Sequence, residues 1–168
     1  MTAARAGGPA AGVPGSGAWP REPGTEVRPG AASPAELREG FAIVAESETP
    51  AAPVEWSPHT HPAHELVWVR GGALTARVQD RVFTVSDGGG LWIPAGVVHA
   101  GRLPAGRAFH TAFFDPALTP IAFPAPTVLA MTAVLESVLL HLARADLDCA
   151  ARARAEAVVF DVIEPSAR

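Results

Sequence analysis

Between Phe41 and Pro116 no apolar segment runs more than a few residues before Gly, Pro or Asp interrupts it. A chain punctuated this often has no room for long helices. It makes short strands joined by tight turns. His64-Glu-Leu-Val-Trp-Val-Arg70 ends at Gly71-Gly72, and Phe41-Ala-Ile-Val-Ala45 precedes it. Ala73 to Gln79 and Arg81 to Ser86 read as a hairpin around Gln79-Asp80, with Leu74, Ala76 and Val78 alternating against Thr75 and Arg77. Asp87-Gly88-Gly89-Gly90 is a turn that tolerates positive φ. Leu91-Trp-Ile93 and Ala108 to Phe114 are further strands. Many short strands at close spacing indicate a sandwich or barrel.

The flanks have a different character. Residues 1–36 are mostly Ala, Gly, Pro, Ser and Thr, with Trp19 their one large apolar side chain. Too little apolar surface is present to offset ordering entropy, so a disordered tail is expected, with the barrel spanning 37–116. Pro120, Pro124 and Pro126 mark residues 117–131 as an extended connector. Within 132–165, Val134, Leu135, Val138, Leu139 and Leu142 make one apolar helix face behind an N-cap at Thr132. A second helix is expected from about Asp148, its cap, to Ile163, with Ala155, Val158, Val159, Val162 and Ile163 as its apolar face. Arg152 and Glu156 would form a small surface pair on it.

Composition then excludes several classes. Seventeen acidic and 13 basic residues leave a net charge of −4 over 168 residues, which does not suit a phosphate-backbone surface. The lone Cys149 provides neither an intramolecular disulfide nor a paired-cysteine metal knuckle. No apolar run approaches ~18 residues and no signal-peptide core follows the early arginine, so a cytoplasmic protein without a membrane span is expected.

Four of the six histidines fall between positions 59 and 99. In His59-Thr-His61-Pro-Ala-His64-Glu65, strand alternation puts His59, His61 and Glu65 on one side and His64 on the other. Pro62 can place a corner between them. Pro94-Ala-Gly96-Val-Val-His99 bends tightly and delivers one more imidazole. Three imidazoles and a carboxylate suit Mn, Fe, Ni, Cu or Zn, provided that the two strands are neighbours. His110 and His141 read as ordinary residues. Trp56, Trp68 and Trp92 read as barrel packing with one at the pocket mouth; Trp68 and Trp92 are the candidates for stacking on a ligand.

The spacing His59-x-His61, Glu65, Gly72 resembles the first cupin motif, and Gly88, Pro94-Ala-Gly96, His99 resembles the second. The resemblance implies a mainly β, jelly-roll cupin barrel in which His59, His61, Glu65 and His99 ligate one divalent transition metal (Zn, Mn, Fe or Ni). Pro53 and Leu103 depart from the usual opening glycine and closing asparagine of those motifs. The run His-x-His-x-x-His-Glu-Leu, then Ile93-Pro94, then Ala112-Phe-Phe-Asp-Pro116, is similar to the N-terminal sensing domain of AraC-type transcription regulators. Two helices ending in Ala155-Glu-Ala-Val-Val-Phe-Asp161 extend the likeness over about 38–164. It implies a small-molecule effector, a homodimer through the helices, and regulation of transcription. The chain reaches Arg168 without a helix-turn-helix pair, so no direct DNA binding is expected of it. The expectation is therefore a non-enzymatic ligand-sensing and dimerisation domain. The alternative is a small metal-dependent cupin enzyme of dioxygenase or isomerase type.

Overall fold

The computed structural model describes residues 20–30, 37, 40–121 and 123–167. Strands β1 (Glu26–Arg28), β3 (Val54–His59), β8 (His99–Leu103), β5 (Ala73–Val78) and β6 (Arg81–Ser86) form one sheet, in the order β1-β3-β8-β5-β6. Strands β10 (Thr127–Ala130), β7 (Gly89–Ile93), β4 (His64–Arg70), β9 (Ala108–Phe114) and β2 (Ile43–Glu48) form the other, in the order β10-β7-β4-β9-β2. Helices α1 (Ala133–Leu142) and α2 (Cys149–Val162) follow. This is a mainly β, cupin-type jelly roll with two C-terminal helices.

Two layers of core explain the sequence pattern. Between the sheets lie Val67, Val69, Leu74, Val78, Leu91, Ile93 and Leu103. On the outer face of the second sheet, Ile43, Leu66, Trp68, Trp92, Phe114 and Leu129 pack under Leu135, Leu139, Leu142 and Val159 of the helices. Strand β4 is thus covered on both faces, which is why Leu66-Val-Trp-Val69 is apolar without alternation. Strand β5 fills the core with one face only, and there the alternation is clean.

The hairpin turn falls where expected, with Val78 opposite Arg81 and Gln79 in the left-handed region at φ 55°. Thr132 and Asp148 cap the helices, their side chains accepting from the Leu135 and Ala151 N–H groups at 3.2 and 2.8 Å.

Three local expectations are corrected, and the helix face on which a homodimer was expected is smaller than its sequence pattern. The tail reading of 1–36 covers Trp19 and other residues outside those described, but residues 26–28 are a strand pairing in parallel with β3. Glu-Val-Arg carries no strand pattern of its own. Its partners are distant in sequence: Arg21 donates to Glu55 at 2.8 Å and Arg28 to Glu48 at 2.8 Å. Part of the connector is strand β10, whose inward residue Leu129 is fully buried. Arg152 and Glu156 are no surface pair, since both are buried. Glu156 Oε1 accepts the Ala42 and Ile43 N–H groups at 3.0 and 3.1 Å, and Arg152 donates to Ile43 O and Leu142 O at 3.1 and 2.9 Å. Finally, the α1 face that motivated a homodimer is covered within the chain: Leu135, Leu139 and Leu142 lie on the barrel, leaving Val134, Leu140 and Val158 exposed.

Candidate metal centre

Three elements deliver the histidines. His59 ends β3, His61 follows in the corner that Pro62 makes, and His99 opens β8 directly opposite His59 in the ladder. The strands are therefore neighbours, as the metal reading requires. A ring nitrogen of each of His59, His61 and His99 lies within 4.8 Å of the others. His61 and His99 are buried and His59 is half-buried. Glu65, on the inner face of β4, brings Oε2 to 3.2 Å from His61 Nε2 and 3.1 Å from His99 Nε2. Thr111 donates to its other oxygen at 3.1 Å.

Each imidazole is oriented by a backbone carbonyl. His59 Nδ1 lies 2.7 Å from Ser57 O, His61 Nδ1 2.8 Å from Ala63 O, and His99 Nδ1 2.9 Å from Val97 O. A carbonyl oxygen can only accept, so each Nδ1 carries the proton and each neutral ring keeps its lone pair on Nε2. This is the orientation a metal-binding imidazole needs. Backbone packing also fixes His59: a Cβ at Gly30 would stand 1.7 Å from the His59 ring, so the close approach of that segment admits only glycine.

Electrostatics agree with the geometry. Burial pushes the Glu65 carboxyl up, but hydrogen bonds donated by the His61 and His99 rings, with the positive charge the rings carry when they donate, outweigh it and hold it at about 2. Burial lowers His59, favouring the neutral form that binds metals. For His61 burial also lowers the pKa, but its contacts with Glu65 more than reverse this and raise it. His99 Nε2 is buried, close to Glu65, and without a hydrogen-bond partner. The buried Glu65 carboxylate stands 3.2 and 3.1 Å from the Nε2 atoms of His61 and His99, so nitrogen and oxygen donors lie side by side. The residues fit one divalent transition metal, and His59, His61 and His99 are capable of coordinating it.

The centre sits at one end of a cavity of about 230 Å³ between the sheets, lined by Trp56, Leu74, Ile93, Phe109 and Phe113 among others. His64 faces away, as expected, stacked on Trp92 with Nδ1 accepting from Ala95 N at 3.1 Å. The tryptophans are a correction. Trp68 and Trp92 are not at the cavity; both are buried under the helices, Trp68 stacked on His110 and bonded to Glu136. The aromatic wall is Trp56, 4.9 Å from Phe109. The pleat already placed Trp68 opposite to Glu65, three residues away. Trp56 was hidden because it is also three residues from His59, and a register shift between them turns both inward.

The family model described as the AraC-like ligand binding domain matches residues 41–155. The chain belongs to this family. Comparison with curated proteins found no match. Among solved structures, a protein of unknown function from Streptococcus pyogenes is similar at 20% identity, over 47% of this chain and 68% of that one, with a TM-score of 0.39. An oxalate decarboxylase of Bacillus subtilis is similar at 22% identity over 46% of this chain and 22% of its own, with a TM-score of 0.36. A DMSP lyase from Ruegeria pomeroyi is similar at 18% identity over 49% of this chain and 43% of its own, with a TM-score of 0.40. None of these likenesses bears on what the chain acts on.

Membership describes the domain and carries no regulatory role with it. The expectation of a non-enzymatic transcription-regulatory domain is corrected by the His59/His61/His99 cluster, two of its rings buried and one half-buried, which is able to hold a metal ion. Among the described residues, no helix is long and apolar enough to cross a membrane.

Proposed function

We propose that this chain is a small metal-dependent cupin enzyme, of dioxygenase or isomerase type, acting on a small organic molecule that enters the barrel. The observation that carries the reading is the convergence of three carbonyl-oriented imidazoles beside the buried Glu65 carboxylate at one end of a cavity. His59, His61, Glu65 and His99 would hold the ion. When bound, such an ion activates oxygen or polarises a substrate oxygen.

The chain's own residues do the rest. Trp56, Phe109 and Phe113 keep water from the inner end and shape the space for an apolar body. Thr111 holds the Glu65 carboxylate in one orientation through its hydroxyl. The carbonyls of Ser57, Ala63 and Val97 hold the imidazole protons on Nδ1, so that Nε2 stays directed at the centre.

The test is elemental analysis of untagged protein before and after chelation, followed by reloading with Mn, Fe, Ni or Zn. Oxygen uptake and product formation are then measured over a panel of small oxygen-bearing molecules. About one equivalent of metal and metal-dependent turnover are expected. Less than about a tenth of an equivalent, with no uptake on reloading, overturns the reading.

A further inference from the structure

The cavity runs from the histidine end to a mouth lined by Arg28, Glu46 and Glu48. Glu46 and Glu48 stand opposite Thr111 and Phe109, and Thr111 stands opposite Val67, two residues from Glu65. Two strand spacings and two residues put the Cα atoms of Glu46 and Glu65 on the order of 12 Å apart. With both side chains turned inward, the gap suits one ring or a short chain.

The charges of the mouth are not equivalent. Arg28 is committed: Nε donates to Glu26 at 2.9 Å, and Nη1 to both oxygens of Glu48 at 2.8 and 2.9 Å. The Glu46 carboxylate has no ion-pair or hydrogen-bond partner among the described residues. An anionic group at the mouth would meet a neutralised arginine and a free carboxylate. A cationic one would meet its counter-charge beside the rings of Trp56 and Phe109. At the other end, His59, Glu65 and His99 line the cavity, so the ligand's head would lie against the centre.

We infer that the molecule taken by this barrel has a ring-sized apolar body, an oxygen-donor head at the histidine end, and a single positive charge, such as an ammonium, read by Glu46. For its head group the inference rests on the metal-enzyme reading; the charge preference at the mouth stands on Glu46 and Arg28.

The experiment uses probes of one shape. On zinc-loaded protein, 4-(aminomethyl)benzoate, 4-methylbenzoate and terephthalate are titrated calorimetrically. On metal-free protein, 4-methylbenzylammonium is compared with 4-methylbenzyl alcohol by ligand-observed NMR. The ammonium member of each set is expected to bind about fivefold more tightly than its neutral-tailed partner, the size of an exposed ion pair. Terephthalate is expected to bind most weakly, and Glu46→Gln to abolish both preferences in a protein whose circular dichroism is unchanged. Terephthalate binding as well as the aminomethyl probe, preferences that survive Glu46→Gln, or no binding of any probe would each overturn the inference. The two readings separate cleanly. Zinc uptake without a charge preference removes only this inference, whereas a Glu46-dependent ammonium preference without uptake of Zn, Mn, Fe or Ni removes the metal reading and leaves the mouth as described.

Discussion

The attachment of the helices to the barrel gives the most quantitative test of the fold. Glu156 reaches from α2 to the start of β2 and accepts two backbone N–H groups, from Ala42 and Ile43, with one oxygen. Both donors belong to buried residues, Ala42 at 7% and Ile43 at 0% exposure. Glu156→Ala leaves both unpaired. Each buried orphan costs about 1–3 kcal/mol, so a loss of about 2–6 kcal/mol is expected. For a domain of this size that is roughly 5–15 °C of melting temperature. Glu156→Gln keeps the accepting oxygen and removes only the charge. Burial raises the Glu156 pKa, against the pull of the Ile43 and Ala42 amides and of Arg152, so its charge is held less readily than at the surface, and Gln is a mild change of about 1 kcal/mol or less. The raised pKa also sets a sign. Wild type holds its proton more tightly when folded, so this contribution is full below the ordinary carboxylate range and is lost as pH rises through the folded pKa. The Gln variant, which has no such loss, should therefore gain on wild type between pH 4 and pH 7. Urea unfolding followed by tryptophan fluorescence at the two pH values measures both effects. If Glu156→Ala costs no more than Glu156→Gln, the two N–H groups have other partners and the reasoning fails.

Other outcomes follow from the same contacts. Glu65→Gln should weaken metal binding at least about tenfold while the barrel stays folded, and His64→Ala should leave it unchanged, both read by metal titration; equal effects would contradict the orientation of β4. Leu139→Asp should unfold the chain and not merely alter its mass in sedimentation, because it places an unpaired charge at a fully buried position at a cost above about 4 kcal/mol. Trp68→Ala should cost about 3–5 kcal/mol of stability without changing probe binding in the cavity; Trp56→Ala should alter probe affinity instead. A cavity indifferent to Trp56 would show that its wall lies elsewhere.

Much of this molecule is legible from local signals. The hairpin at Gln79-Asp80, the caps at Thr132 and Asp148 and the three histidines of the cluster all stand in the sequence, because turns, caps and strand pleats depend on neighbours a few residues away. The positions that misread depend on partners far along the chain. Glu26–Arg28 becomes a strand only because β3 offers an open edge. Arg152 and Glu156 look like a solvent pair until β2, more than a hundred residues earlier, supplies their hydrogen bonds. Trp56 faces the cavity because a register shift lies between it and His59, and Trp68 does not because β4 is covered on both faces, with the helices taking the outer one. The sequence by itself determined most of the elements and the histidines that gather at the centre. Only the tertiary structure decided which side of each strand became the cavity, because that choice is made by strand pairing and by helix packing, whose energies come from contacts absent from any local stretch of chain.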